Sequence, residues 1–198
     1  MKKIQLSLKR VFDFTASLLG LIIISPFFLI VCVAILLNDH SSPFFKQKRI
    51  GKDGKIFEII KFRTMVNNAE NIGDGLVVQS EDDPRITCIG KFLRKTSLDE
   101  LPQLINILRG EMSLIGPRPP VTYHPYAGYD NYPKRAKLRF LMKPGITGLA
   151  QVKKRNSATW DERIEIDIDY VKNFSLLLDL KILFSTFSSL RYTEEYTK

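Results

Sequence analysis

The chain has 198 residues, enough for one domain with a real core, and a formal charge of +9 that favours anionic partners: nucleic acid, acidic headgroups or phosphorylated substrates. Its 2 cysteines, Cys32 and Cys88, lie far apart and form no CxxC pair. With only 2 histidines beside them, this argues against a disulfide framework and a structural zinc site.

The first predicted element is apolar. No charged residue falls between Phe14 and Leu37, a run long enough to span a bilayer as a straight helix. It is too long for the core of a secretory signal, and no small-x-small cleavage site follows it. Ser25-Pro26 sits near its middle, where proline removes a backbone donor and kinks a helix, and a neighbouring hydroxyl can satisfy the freed carbonyl. Lys2, Lys3, Lys9 and Arg10 precede the run, and Lys46, Lys48, Arg49, Lys52 and Lys55 follow it. Positive charge on both flanks favours keeping both in the cytoplasm. A re-entrant helix, broken at Ser25 and Pro26 and confined to one leaflet, is therefore expected, with Asp13 and Asp39 at the ends of its buried part; a plain transmembrane helix is the alternative. Residues 1–40 form the anchor and 41–198 a cytoplasmic domain with membrane-facing amphipathic helices.

Phe44–Ile50 and Ile56–Arg63 read as strands joined by the turn Gly51-Lys52-Asp53-Gly54, a hairpin. Lys61, Arg63 and Thr64 end it in a basic cluster that is either an anion site or a solvated edge. Residues 67–84 read as a loop, and Ile86–Arg94 as a short helix weakened by Gly90. Leu98, Leu101, Leu104, Ile105 and Leu108 recur at helical spacing up to Gly110. Residues 113–120 and 143–148 read as loops, Pro133–Met142 as a basic helix and Trp160–Asn173 as an amphipathic one. The last helix, Leu176–Leu190, is apolar over much of its circumference and suits either the core or a membrane interface. The fold class is α/β, mostly helical, with a small β-hairpin.

Ser97-Leu98-Asp99-Glu100-Leu101-Pro102 carries the candidate chemistry. One reading is structural: Ser97-x-x-Glu100 has the form of a capping box, and Pro102 suits a first helical turn. The other uses the same place for catalysis. A carboxylate at a helix start is stabilised as an anion, as a nucleophile must be. A second carboxylate beside it makes a hard oxygen site suited to Mg²⁺ together with substrate phosphates. Arg94, Lys95 and Arg118 are close in sequence and could neutralise such a substrate.

These motifs resemble a known family. Lys9-Arg10-Val11-Phe12-Asp13, Ser25-Pro26, Phe44-Phe45-Lys46-Gln47, Lys61-Phe62-Arg63-Thr64-Met65, Ser97–Leu104, Gly110–Pro119 and Lys143–Val152 occur in the order found in the small monotopic polyprenyl-phosphate phosphoglycosyl transferases. These bacterial sugar transferases initiate surface glycan assembly, and the resemblance covers nearly the whole chain. It implies that Asp99 attacks the β-phosphate of a UDP-sugar and that UMP leaves. Polyprenyl phosphate would then take the sugar phosphate from the aspartate. It implies Glu100 as a Mg²⁺ ligand and Arg118, Lys61, Arg94, Arg63 and Pro117 as substrate-binding residues. It also implies a location on the cytoplasmic face of the bacterial inner membrane and the minimal catalytic form of the family. Pro119-Pro120 and Lys153-Lys154-Arg155-Asn156 depart from the family's usual sequence. A homo-oligomer is compatible with the chain. A membrane-tethered nucleic-acid-binding protein is the competing reading of the charge. Helix-turn-helix, RNP-like and zinc-finger patterns are missing and much of the charge flanks the apolar run, so no nucleic acid partner is expected. A catalytically idle scaffold is the third reading, against which the intact Asp99-Glu100 pair speaks.

Overall fold

A computed structural model describes residues 2–39, 41–72, 83–154 and 157–192. Most of the expected 67–84 loop, together with Arg155 and Asn156, lies outside these residues.

Helix α1, Lys2–Asp39, is 38 residues long, or about 57 Å at 1.5 Å per residue. It is long and apolar enough to cross a membrane. The expected break at Pro26 does not interrupt it: helix runs through the proline. The reason is local. Pro26 frees the carbonyl of Ile22, four residues back, and the Ser25 hydroxyl donates to that carbonyl at 2.8 Å.

Both halves of α1 are held by the rest of the chain. In the first half, Lys9 is buried and ion-paired with Asp179 at 2.6 Å. The Arg10 guanidinium donates to the carbonyls of Ile107 and Leu108 at 2.6 and 3.0 Å, and Asp13 accepts from the Leu114 amide at 3.1 Å. Lys9 and Arg10 are thus protein contacts rather than free flanking charges. Asp13, expected at the edge of the membrane, is only 2% exposed and serves the protein interior. In the second half, Val31 and Ile35 pack with Phe62 and Leu93, with Phe28 and Phe44 against them.

Strands β1, Phe44–Ile50, and β2, Ile56–Phe62, form the expected antiparallel hairpin, with Phe44 opposite Phe62 and Ile50 opposite Ile56. Helix α2, Cys88–Lys95, is capped by Thr87, whose hydroxyl accepts from the Gly90 amide. Gly90 does not weaken this helix; it lets the helix approach the chain at Thr64, whose carbonyl oxygen would lie 2.0 Å from a Cβ at position 90. Helix α3, Gln103–Arg109, follows.

The two stretches read as loops contain strands. β3, Ser113–Ile115, pairs in parallel with β4, Gly145–Thr147. The close approach requires glycine on both sides: a Cβ on Gly145 would fall 2.1 Å from the Gly116 nitrogen, and one on Gly148 2.1 Å from the Gly116 oxygen. The two motifs therefore interlock.

The basic helix expected at 133–142 is a 3-10 segment, Ala136–Leu141. It is not a surface helix, because Arg139 is buried and paired with Asp167. Helices α4, Leu149–Lys154, α5, Trp160–Lys172, and α6, Leu176–Tyr192, complete the chain. α6 joins the core on one side and leaves apolar residues uncovered on the other. Ile182 is in the core, while Leu177, Leu180, Phe184 and Phe187 are exposed.

Candidate active site

The Asp99-Glu100 pair stands on a single 3-10 turn, Leu98–Glu100, between α2 and α3. The capping box is not formed. Ser97 adopts a left-handed conformation (φ 56°) and makes no side-chain cap bond. Pro102, not Ser97, occupies the N-cap position of α3. Both carboxylates are thereby free for other partners, and both meet Lys61 at the end of β2. The Lys61 ammonium lies 2.6 Å from Glu100 and 3.6 Å from Asp99. Arg118 reaches Glu100 at 3.4 Å.

The two carboxyls consequently differ. Burial opposes ionisation of Glu100, but Lys61 and Arg118 outweigh it and hold the group down at about 2. Burial pushes Asp99 above the ordinary aspartate range; Lys61 and Arg94 work against that shift and the neighbouring Glu100 adds to it. Lys61, 3.6 Å away, favours the ionised form of Asp99 but does not cancel the effect of burial.

Asp99 faces a cleft of about 440 Å³, within the range of small-molecule sites. Its walls are β1, β2, the segment after β2 and the loop after β3. Five cationic side chains line it (Arg49, Lys61, Arg63, Arg94 and Arg118), with Asp99 the one carboxylate among the lining residues. Such an excess selects an anion, and the guanidiniums suit phosphate oxygens. Among the sequence-expected residues, Arg63 also donates to Asn67, and Arg94 has a buried Nη1 without a hydrogen-bond partner. Pro117 stands apart, in a crevice with Ile50, Gly51 and Pro120. Ser25 and Pro26 belong to α1 and are absent from the residues lining the cleft.

Sequence reasoning missed Arg49, Gln47, Tyr123 and Arg139. Arg49 donates to the Pro119 carbonyl at 3.1 Å and to Gln47 Oε1 at 2.6 Å. Burial, with Arg118 nearby, lowers its guanidinium to about 10. On the other side of the same loop, Arg139 donates to the Arg118 carbonyl at 2.9 Å. Two arginines thus hold the main chain at the Arg118 and Pro119 carbonyls, next to the Arg118 side chain. Nothing local marks Arg49 or Arg139 as part of the site.

As donors for a metal, Asp99 and Glu100 offer hard oxygens beside an anion-selecting cleft. No group of three or more His, Cys, Asp or Glu occurs among the described residues. This donor set fits Mg²⁺, which binds through one or two carboxylates plus phosphate oxygens and water.

Fold and site together define a protein with one helix long and apolar enough to cross a membrane and a carboxylate set in an anion-selecting cleft. The chain belongs to the bacterial sugar transferase family, whose profile it matches over residues 4–192. It is 41% identical over 191 residues to the exopolysaccharide production protein ExoY of Sinorhizobium fredii, covering 90% of this chain and 83% of that one. It is 40% identical over 192 residues to the undecaprenyl-phosphate galactose phosphotransferase of Salmonella typhimurium, covering 90% of this chain and 39% of that one. With the UDP-glucose:undecaprenyl-phosphate glucose-1-phosphate transferase of Klebsiella pneumoniae the identity is 41% over 188 residues, 92% of this chain and 40% of that one. The chain thus spans most of the first relative and about two-fifths of the other two.

Proposed function

We propose that the chain transfers a sugar 1-phosphate from a UDP-sugar to a polyprenyl phosphate at the cytoplasmic face of the bacterial inner membrane, initiating assembly of a polysaccharide. What supports the reading is one observation above the rest: Asp99, half-buried and shared through Lys61 with Glu100, facing a cleft with five lining cations. The names of the relatives supply the substrate classes.

In the proposed reaction an Asp99 oxygen attacks the β-phosphorus of the donor. A P–O bond to aspartate forms, the bond to the bridging oxygen breaks, and UMP leaves with that bonding pair. An oxygen of the polyprenyl phosphate then attacks the same phosphorus and releases the Asp99 carboxylate, giving polyprenyl diphosphate-sugar. Lys61 keeps Asp99 ionised for the first step and stabilises it as leaving group in the second. Arg118, Arg94 and Arg63 bind and orient the diphosphate. Glu100, with Asp99 beside it, would hold Mg²⁺, which when bound offsets the negative charge of the phosphates.

The proposed membrane arrangement is re-entrant and confined to one leaflet. Lys9, Arg10 and Asp13 near one end of α1, and Val31 and Ile35 near the other, contact the same catalytic domain. A helix spanning the bilayer would carry one of those ends away from the domain. Exposed Ile22, Ile23, Leu29 and Ile30 on α1, with Phe184 and Phe187 on α6, supply the apolar face.

Intact-protein mass spectrometry with Mg²⁺ and a panel of UDP-sugars, without lipid acceptor, tests the covalent route. A phosphosugar adduct is expected on wild type and not on Asp99→Asn. Turnover of Asp99→Asn should fall by at least about 10³-fold. Near-normal turnover of that variant, with deamidation excluded, would sink the assignment.

A further inference from the structure

The five lining cations account for a diphosphate, but a nucleotide-sugar has two uncharged ends that they do not read. We infer that Tyr123 is a specificity-determining residue of the cleft, donating its phenolic O–H to an acceptor oxygen at one of those ends. The inference rests on the nucleotide-sugar reading of the site.

The polarity of the contact follows from a short relay. Arg49 has only donors, so the Gln47 amide atom that it meets at 2.6 Å must be the oxygen. That fixes the amide: its NH₂ faces the other way, toward the Tyr123 hydroxyl at 3.4 Å. Gln47 therefore donates and the Tyr123 oxygen accepts. The tyrosine's single proton is left to point elsewhere, and it meets no protein acceptor among the described residues. Tyr123 lines the same cleft as Asp99 and is 53% exposed, so the proton is within a ligand's reach. The segment leading to it is held: Arg49 also bridges backbone-to-backbone with Val121 and donates to the Pro119 carbonyl. The rim thus presents an O–H donor beside an aromatic face, with its oxygen already accepting from Gln47. A carbonyl of uracil and an oxygen of the sugar both have the matching chemistry.

The test uses the full chain in lipid nanodiscs, with polyprenyl phosphate and each of UDP-galactose and UDP-glucose, comparing wild type with Tyr123→Phe. The phenylalanine keeps the ring and removes the donor, and an unchanged melting temperature verifies the fold. The expected result is a rise in donor KM of about 3- to 10-fold, with kcat little changed. Inhibition by UMP, which lacks the sugar, separates the two sources. If UMP also binds more weakly to the variant, Tyr123 reads the nucleoside. If UMP binds as before while the donor KM rises, it reads the sugar. Unchanged KM and unchanged UMP inhibition overturn the inference while leaving the site reading intact. A wild type that releases no UMP from any UDP-sugar overturns the site reading, and the inference with it.

Discussion

Lys61 meets two carboxylates at unequal distances, and the inequality divides their work. The closer one, Glu100, is held as an anion by two cations, whereas Asp99 keeps only the longer contact and a carboxyl raised by burial. In the proposed reaction an attacking oxygen tied into a tight ion pair would be a poor nucleophile, and Asp99 is not so tied. Arg118 depends on a further buried pair. Arg139 and Asp167 are 1% and 2% exposed at their side chains and 2.5 Å apart. Arg139→Met takes away the ion-pair partner of the buried Asp167, leaving only the charge of Arg163 to favour its anion, and releases the Arg118 carbonyl. We expect a loss of about 3–5 kcal/mol in stability, read as a lower melting temperature in detergent, with a raised donor KM. Replacing both residues, Arg139→Met with Asp167→Leu, should recover most of the stability but not the KM.

At the scale of elements, α2 sets the position of Arg94, and α2 is set by Gly90. The added methyl of Gly90→Ala would meet the Thr64 carbonyl, which is backbone and cannot swing aside. A destabilisation of about 1–3 kcal/mol is expected, checked by thermal unfolding and accompanied by weaker donor binding. Helix α5 carries a capping box at Thr159 and Glu162. The Thr159 amide donates to the Glu162 carboxylate and, with Lys154 nearby, holds it below the ordinary glutamate range. A depressed carboxyl contributes stability above its unfolded pKa and loses it as pH falls through the folded value. The gap in melting temperature between wild type and Glu162→Ala should therefore be present at neutral pH and close on acidification. The hairpin was legible because Gly51–Gly54 is turn chemistry between two β-rich runs. The Asp99-Glu100 site was legible because its residues are contiguous. β3 and β4 were not: three residues carry no periodicity, and what pairs them is the fit of Gly116 against Gly145 and Gly148 across the chain. The capping box at Ser97 misled for the same reason. The sequence has the right letters, but the left-handed turn at Ser97 and the pull of Lys61 take Glu100 elsewhere. Arg49, Tyr123 and Arg139 act through partners distant in sequence, which no local pattern announces.

For the whole molecule, the contacts along α1 make that helix a part of the fold rather than a tether to it. On the proposed topology, reporter tags fused before residue 2 and after residue 192 should both lie in the cytoplasm; protease accessibility in inverted and right-side-out vesicles checks this. A tag before residue 2 that is cut only from the periplasmic side would overturn it. In that single-leaflet arrangement the protein adds area to one monolayer and none to the other. Inserting the apolar face of α1 and α6 then costs work against the lateral pressure of that monolayer alone. Lipid packing therefore enters the energetics of the enzyme directly: loosely packed or outwardly curved monolayers admit it readily, and tightly packed ones resist it.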